Sequence, residues 1–221
     1  MIQLKINYVK CFLFTFDCFK AIIYQKGQGQ KMEIRRINIS EISDIEYSKT
    51  AEFFPETTKQ IKNYRPDDKK RTLAGRYLLK KMIRELYGRE EFTVKLNENG
   101  KPYLDFCYFS ISHSGDFALC AVSDSPVGVD IERVDSFKQR DRYMLFSGTE
   151  SEYVNKSDSR NRFYTLWTRK EAYVKAKGGV IADAAKTELV TPELKLKDKY
   201  DGFGFKTEKS DGYILSAAEY K

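Results

Sequence analysis

The apolar residues near the middle of the chain recur at helical spacing. Between Lys69 and Tyr87 they fall near every third or fourth position, which places them on one face of an α-helix. Acidic residues stand at the start of this stretch and Gly88 follows it, as is typical of the two ends of a helix. The pattern therefore predicts a long helix with one buried face.

Shorter apolar stretches rich in aromatic and β-branched residues follow this helix. We predict strands at Phe92–Leu96, Tyr108–Ser112 and Phe117–Val122, with a turn at Asn97–Gly100. Together with the helix, these strands predict a small sheet packed on a long helix.

A similar succession of elements returns in the second half of the chain. Its predicted helical features are a stretch from Gln139, a capping box of Thr149 and Glu152, and a long helix from Ser159 to Lys177 that ends at Gly178-Gly179. Its predicted strands are Val127–Glu132, Thr187–Val190, Gly202–Lys206 and Tyr213–Ala217. The whole pattern predicts an α+β protein of two similar-sized lobes, residues 32–124 and 125–221.

Residues 1–31 stand apart from both predicted lobes. The stretch Cys11–Tyr24 is apolar, but Asp17 and Lys20 interrupt it, and no small-residue cleavage site follows. Neither a signal peptide nor a membrane span is therefore predicted. Lys26–Lys31 is polar and contains glycine, as linkers do, so we interpret residues 1–31 either as an N-terminal extension or as the result of placing the start upstream of Met32.

Composition narrows the class of protein. With 221 residues, 41% of them hydrophobic, the chain can bury a core and is not predicted to be disordered. The net charge of +7 favours a polyanionic partner, which can be a nucleic acid, an anionic membrane, a phosphorylated cofactor or an acidic protein. The four cysteines are scattered and His113 is the only histidine, which argues against a zinc site and favours a cytoplasmic location.

Two carboxylates lie on one face of the strand predicted at Val127–Glu132. Residues two apart on a strand project to the same side, roughly 6.6 Å apart, so Asp130 and Glu132 can bind one ion. Val129 and Ile131 are then expected to face the core, and Gly128 to leave room beside the site for a bulky ligand. An ordinary exposed strand face gives the same pattern, so this pair alone is not diagnostic.

A third carboxylate and a lysine lie on the long helix of the second half. Glu171 and Lys175 are one turn apart, as in ordinary surface ion pairs, and Trp167 on the same helix can be a core residue. Together with Asp130 and Glu132, however, they supply the oxygen ligands that Mg²⁺ prefers and a cation for phosphate charge. This combination suits phosphoryl-type transfer better than redox or acyl chemistry.

The segments Gly128-Val-Asp-Ile-Glu132 and Trp167-Thr-Arg-Lys-Glu-Ala-Tyr-Val-Lys175 resemble the paired signature of 4′-phosphopantetheinyl transferases of the two-lobed, surfactin-synthetase-activating type. Further segments that resemble this family are Leu145–Glu150, Arg71–Arg76, Gly100–Pro102 and Phe109–Ser114. The resemblance extends from about Lys59 to Gly179. It implies two lobes related by pseudo-two-fold symmetry, each a small sheet packed on a long helix.

The resemblance also implies roles for individual residues. Asp130, Glu132 and Glu171 would hold a Mg²⁺ ion at the pyrophosphate of coenzyme A, Lys175 would lie beside the reacting phosphate, and either Glu132 or Glu171 would deprotonate the incoming serine. The residues implied to contact the adenosine phosphates are Lys59, Arg71, Lys101, Ser112 and His113. Taken without the resemblance, Arg71, Lys101 and His113 have ordinary structural explanations in a helix, a hairpin and a loop.

The implied activity is transfer of the 4′-phosphopantetheine arm of coenzyme A to a serine of an acyl or peptidyl carrier protein, with release of adenosine 3′,5′-bisphosphate. Such carriers serve fatty acid, polyketide and nonribosomal peptide synthesis. The expected partners are coenzyme A and an apo carrier protein, without nucleic acid or membrane. Because both halves of the signature lie in one chain, we expect a monomer.

Two other functions remain open from the residues alone. A magnesium-dependent nuclease or phosphodiesterase can assemble its site from the same carboxylates and lysine. A non-catalytic nucleic-acid-binding protein would use the positive charge and the aromatic residues. The aromatic residues follow the apolar periodicity, however, which argues against that second function.

Overall fold

A computed structural model describes residues 20–25, 31–135 and 144–221, with side chains from residue 32 onward. Residues 26–30 of the predicted polar linker, Cys11, Cys18 and the start of the helical stretch predicted from Gln139 lie outside these ranges. The described residues form an α+β structure of two lobes, each with its own sheet, as the sequence predicted. The pseudo-two-fold relation between the lobes stays a prediction.

The described part of the chain contains helices, strands and short 3₁₀ turns. The strands are β1 (Lys20–Gln25), β2 (Lys31–Asn38), β3 (Lys95–Leu96), β4 (Pro102–Tyr103), β5 (Tyr108–Ser114), β6 (Phe117–Ser123), β7 (Val127–Arg133), β8 (Lys199–Tyr200), β9 (Phe203–Ser210) and β10 (Tyr213–Tyr220). The α-helices are α1 (Asp44–Phe53), α2 (Pro55–Gln60), α3 (Pro66–Tyr87), α4 (Gly148–Val154) and α5 (Ser159–Lys177). Ile39–Glu41 and Ile181–Lys186 form 3₁₀ turns.

Each lobe is an antiparallel sheet covered by one long helix. The first sheet has the strand order β1-β2-β6-β5 and packs on α3. The second has the order β7-β10-β9-β8 and packs on α5. A third layer of buried residues, among them Leu119, Ala121, Val129, Ile131 and Leu215, lies between the two sheets. The expectation that Val129 and Ile131 face the core is therefore confirmed.

Both long helices have the ends that the sequence predicted. Pro66 occupies the first turn of α3, where a missing amide proton costs nothing, and Gly88 ends the helix at a φ of 64°. The second long helix, α5, has the predicted bounds and ends at Gly178 with a φ of 74°. Left-handed φ values of this kind favour glycine because a Cβ atom is absent.

Two local predictions in the second lobe were wrong. The capping box is formed by Ser147 and Glu150 rather than Thr149 and Glu152, with the Glu150 amide 3.1 Å from the Ser147 hydroxyl. Thr187–Val190 does not form a strand: it makes one isolated antiparallel bridge, between Val190 and Leu196, and the Leu189 amide donates to the Glu150 carboxylate at 2.9 Å. Of the predicted strand at Phe92–Leu96, the last two residues alone form β3.

The expectation that Gly128 leaves room for a bulky ligand was also wrong. A Cβ atom at Gly128 would lie 1.9 Å from the Ala172 carbonyl oxygen and 2.5 Å from the Ala176 amide nitrogen. The backbone of α5 therefore fills the space beside Gly128. This close approach of β7 and α5 brings the carboxylate of Asp130 to the ammonium of Lys175.

The two lobes meet along a seam between β5 and β7, the adjoining edge strands of the two sheets. Alternate serines of β5 point across this seam and accept hydrogen bonds from amides of β7. The bonds, amide to hydroxyl, are Val129 to Ser110 (3.1 Å), Ile131 to Ser112 (3.4 Å) and Arg133 to Ser114 (3.0 Å). Serine hydroxyls thus join the lobes where a continuous sheet would use backbone carbonyls.

Two further observations bear on the sequence analysis. Cys107 and Cys120 are unbonded and buried, as small core residues are. Within residues 20–25, 31–135 and 144–221, the helices are all too short or too polar to cross a bilayer.

Candidate active site

The carboxylate of Asp130 lies at the seam and is buried. Its Oδ1 accepts hydrogen bonds from the Ser112 hydroxyl at 2.7 Å and from the Lys175 ammonium at 2.6 Å. Lys175 also donates to the Ser112 hydroxyl at 3.2 Å. The other carboxylate oxygen of Asp130, Oδ2, is buried without a hydrogen-bond partner. An orphaned carboxylate oxygen of this kind is costly unless a cation or a proton donor binds it.

Glu132 is held from both lobes. Its Oε2 accepts a hydrogen bond from the Ser114 hydroxyl of β5 at 3.1 Å, and its Oε1 accepts one from the Trp167 indole of α5 at 3.3 Å. Trp167 is buried in the core of the second lobe, as an ordinary core tryptophan would be. The indole therefore has two roles, since it packs in the core and fixes the orientation of a carboxylate at the seam.

Lys175 is the positive centre of this cluster. Burial opposes its charge, but attraction to Asp130, Glu171 and Glu132 outweighs that effect and raises the pKa of Lys175. The ammonium is therefore protonated throughout the neutral range. The three residues expected to bind magnesium and the lysine expected beside the reacting phosphate thus lie together.

The cluster has the donor chemistry for Mg²⁺. Carboxylate oxygens are ligands that this ion prefers, and water and substrate phosphates usually complete its coordination. Asp130 Oδ2 is buried and makes no hydrogen bond. Across the described residues, however, no three histidine, cysteine, aspartate or glutamate side chains are grouped closely enough to hold a metal ion. The residues fit the ion in chemistry, and the magnesium site stays a prediction.

A cavity of about 300 Å³ opens beside the cluster. Its walls come from both lobes: α3, the turn before β4, β5, and the end of α5. The residues lining it are Thr72, Arg76, Asn99, Gly100, Lys101, Pro102, Phe109, Ser110, Ile111, Lys175 and Gly179. This set contains three cations and no carboxylate, so the cavity attracts anions.

Lys101 reaches the cavity because its turn is anchored on the C-terminal end of α5. The Asn99 side-chain amide donates to the Gly178 carbonyl at 2.9 Å, and the Lys101 ammonium donates to the Ala176 carbonyl at 3.3 Å. Cations are favourable at this end of a helix because the last carbonyl groups carry partial negative charge. Burial without a carboxylate partner lowers the pKa of Lys101 to about 8.

Three other residues predicted to contact the adenosine phosphates differ in their surroundings. Arg71 donates to the Gly115 carbonyl and to Asp68, each at 2.7 Å. His113 lies on β5, where desolvation and the charges of Lys175 and Arg71 lower its pKa. Lys59 is exposed on the last turn of α2 and is not part of the cavity wall described above.

Sequence reasoning missed two residues of this region. Ser114 orients Glu132, and the alternation of Ser110, Ser112 and Ser114 could have indicated a polar strand face. Arg76 lines the cavity, and its place one helical turn after Thr72 could have indicated that both share one helix face.

The fold and the site define a class: a two-lobed α+β protein with a carboxylate and lysine cluster and a cationic cavity where its lobes meet. Two family models match the chain, the N-terminal model of 4′-phosphopantetheinyl transferases at residues 42–125 and the 4′-phosphopantetheinyl transferase superfamily model at residues 126–210. The two matches adjoin and follow the two lobes. The chain belongs to the 4′-phosphopantetheinyl transferase superfamily.

Curated relatives carry the same family name. The chain is 38% identical over 119 residues to the 4′-phosphopantetheinyl transferase gsp of Aneurinibacillus migulanus, which is 50% of this chain and 49% of that protein. It is 32% identical over 123 residues to Sfp of Bacillus subtilis (strain 168), covering 52% and 55%. It is 33% identical over 144 residues to HetI of Nostoc sp., covering 58% and 61%. The matched segment thus spans roughly half the length of these relatives.

Proposed function

We propose that this protein transfers the 4′-phosphopantetheine arm of coenzyme A to a serine of an acyl or peptidyl carrier protein. The observation that carries this proposal is the cluster at the seam, in which Lys175 pairs with Asp130 beside a cationic cavity, while Glu171 and Glu132 also raise the pKa of Lys175. Family membership and the names of the relatives support it. Coenzyme A fits the cavity chemically because its phosphates are anionic.

Asp130, Glu132 and Glu171 would hold a magnesium ion at this site, with the orphaned Oδ2 of Asp130 as one ligand atom. Bound there, the ion would neutralise charge on the pyrophosphate of coenzyme A. Ser112 and Ser114 would keep the carboxylates of Asp130 and Glu132 oriented through the hydrogen bonds that they already make.

The reaction itself moves one phosphoryl-linked arm between two oxygen atoms. The serine oxygen of the carrier protein attacks the β-phosphorus of coenzyme A, and the bond from that phosphorus to the bridging oxygen breaks. Adenosine 3′,5′-bisphosphate leaves with the bonding electrons. Lys175 stabilises the charge that develops on the phosphate, and Glu132 or Glu171 accepts the serine proton. The nucleophile thus belongs to the partner.

The carrier protein is expected to be acidic, since the chain has a net charge of +7. Complementary charge speeds encounter between proteins more than it tightens the final complex.

Both halves of the signature lie in one chain and meet at one seam, so we also propose that a monomer is active. Light scattering should give a mass near 25.8 kDa, and a stable trimer would contradict this part of the proposal.

The direct test is the intact mass of an apo carrier protein after incubation with the protein, coenzyme A and Mg²⁺. A gain of about 340 Da, the mass of the phosphopantetheine arm, is expected on the carrier. Replacing the carrier's acceptor serine with alanine must abolish the gain. If several acyl and peptidyl carriers all keep their apo mass, the proposed activity is wrong.

A magnesium-dependent nuclease or phosphodiesterase is not favoured by the comparisons, which give one family over residues 42–210. The same protein preparation separates the two activities. Incubation with DNA, RNA and a chromogenic phosphodiester in the presence of Mg²⁺ is expected to give no cleavage.

The depressed pKa of Lys101 predicts how coenzyme A binding depends on pH. Because this pKa is about 8, the lysine is largely charged at pH 7 and largely neutral at pH 9. The KM for coenzyme A is therefore expected to rise as the pH increases through 8. A Lys101→Arg variant keeps its charge at both pH values and should show a flatter profile. Identical pH profiles for the two proteins would contradict a phosphate contact by Lys101.

A further inference from the structure

The hydroxyl of Tyr213, on β10 of the second lobe, contacts the turn between β5 and β6 of the first lobe. It accepts a hydrogen bond from the Asp116 amide at 3.0 Å and donates one to the Asp116 carboxylate at 3.3 Å. The side chain is buried in the layer between the two sheets, where its ring meets the ring of Phe117 edge-on, with 5.0 Å between centroids. Tyr213 thus joins the two lobes just beyond Ser114, the last serine of the seam.

Gly115 allows the hydroxyl to come this close to the turn. Its φ is 55°, and a Cβ atom at this position would lie 2.2 Å from the Tyr213 hydroxyl oxygen and 3.2 Å from Cδ of Arg133. A side chain at position 115 would therefore displace the tyrosine from the turn.

The turn is held from the first lobe as well. The Arg71 guanidinium donates to the Gly115 carbonyl at 2.7 Å, and the Ile39 amide donates to the Asp116 carbonyl at 2.8 Å. Tyr213 takes the amide of Asp116 from the opposite side. Because both lobes hold the same turn, this contact fixes the end of β5 relative to the second lobe.

The position of this turn bears directly on Glu132. Ser114 lies two residues before Asp116, and its hydroxyl donates to Glu132 Oε2 at 3.1 Å and accepts from the Arg133 amide at 3.0 Å. Tyr213 is itself the neighbour of Arg133 in the pairing of β10 with β7. The tyrosine therefore holds β7 through its backbone and the turn after β5 through its hydroxyl.

We propose that Tyr213 is a positioning residue for Glu132, because its hydroxyl keeps Ser114 where it orients this carboxylate. The effect on rate rests on the proposed function, in which Glu132 binds magnesium or accepts the serine proton. The effect on the orientation of Glu132 does not.

The kinetic test uses Tyr213→Phe, which removes the hydroxyl and keeps the ring in the layer between the sheets. The kcat for phosphopantetheine transfer is expected to fall by about 3- to 10-fold, the usual effect of losing one neutral hydrogen bond. The KM for coenzyme A should change by less than about 2-fold because Tyr213 acts through Glu132 and not on the coenzyme. The matched control is Tyr220→Phe, which makes the same change at an exposed tyrosine of β10 and should leave both constants unchanged.

A double variant separates positioning from a general structural effect. If the hydroxyl acts through Ser114, Tyr213→Phe combined with Ser114→Ala should be no slower than Ser114→Ala alone. Losses that add in the double variant would overturn the inference, because they would show that the two residues act independently.

The fluorescence of Trp167 reports on Glu132 without carrier protein or coenzyme A. Trp167 is the only tryptophan in the chain, and its indole donates to Glu132 Oε1 at 3.3 Å. With selective excitation of tryptophan, Tyr213→Phe and Ser114→Ala should change the emission in the same direction, and Tyr220→Phe should keep the wild-type spectrum. If these changes appear but wild-type protein modifies no carrier, the transferase proposal fails and the positioning of Glu132 stands. A wild-type emission spectrum for Tyr213→Phe would show that the inference about Tyr213 is wrong.

Discussion

Asp130→Asn is expected to lower the rate of phosphopantetheine transfer by about 100- to 1,000-fold, the range seen when a group that stabilises transition-state charge is removed. The amide keeps the size of the side chain and can still accept a hydrogen bond from Ser112. It no longer attracts Lys175, which loses its 2.6 Å ion pair, and it offers a poor ligand to a divalent cation. The rate of mass gain by the carrier protein measures the loss.

The control for this variant is Asp44→Asn, which makes the same chemical change at an exposed carboxylate on the first turn of α1. Its activity should stay within about 2-fold of wild type, as expected for a surface substitution. Thermal unfolding of both variants shows whether the fold is kept. An Asp130→Asn protein that is folded and fully active would remove Asp130 from the mechanism.

Lys170→Met is expected to destabilise the protein by about 3–5 kcal/mol, because it leaves one partner of a buried ion pair without its counter-charge. The ammonium of Lys170 lies 2.5 Å from the Glu150 carboxylate, and both side chains are fully buried. The ammonium also donates to the Leu145 and Ala184 carbonyls at 2.9 and 2.8 Å. For a domain of this size, the melting temperature should fall by about 6–20 °C.

Two further variants make this prediction specific. Lys156→Met removes the same charge from an exposed pair, in which Lys156 and Glu152 lie 3.4 Å apart, and should cost less than about 1 kcal/mol. Adding Glu150→Gln to Lys170→Met removes the unpaired negative charge, keeps an oxygen that can accept from the Leu189 amide, and should restore part of the lost stability. Urea unfolding gives the comparison. Equal losses at Lys170 and Lys156 would show that the buried pair has no special role.

The two long helices could be predicted because their signals are local. Proline and acidic residues begin α3, and Gly88 and Gly178 end α3 and α5 at left-handed φ values. The strands β5, β6 and β7 were placed within one or two residues for a similar reason, since each is a short stretch that contains aromatic or β-branched residues. The assignment of Asp130, Glu132, Glu171 and Lys175 to one site rested on motif order, and the structure does bring these residues together.

Other parts of the fold depend on contacts between distant residues. The strand β2 and the helices α1 and α2 were not predicted. Contacts with distant elements stabilise them: β2 pairs with β6, and α1 packs on α3. The Leu189 amide has a distant side-chain acceptor, Glu150, so a local strand pattern was misleading there. Gly128 shows the same limit, because a glycine pattern does not reveal whether the space beside it holds a ligand or another backbone.

The sequence analysis missed two residues of the candidate site for a related reason. Ser114 and Arg76 lie within segments that resemble the family, but their partners across the seam and the cavity are far away in sequence. Ser114 acts on Glu132, which β7 carries, and Arg76 faces a cavity that is completed by the end of α5. A single sequence does not bring such pairs together.

Because the serine seam joins the two lobes, the proposed reaction would depend on contact between them. Each lobe has its own hydrophobic core, whereas the carboxylates come from one lobe and the hydroxyls that orient them from the other. A chain cut between Asp124 and Pro126 would therefore yield two fragments that are inert alone and complement each other when mixed. Restored transfer would then report how well the two fragments have docked.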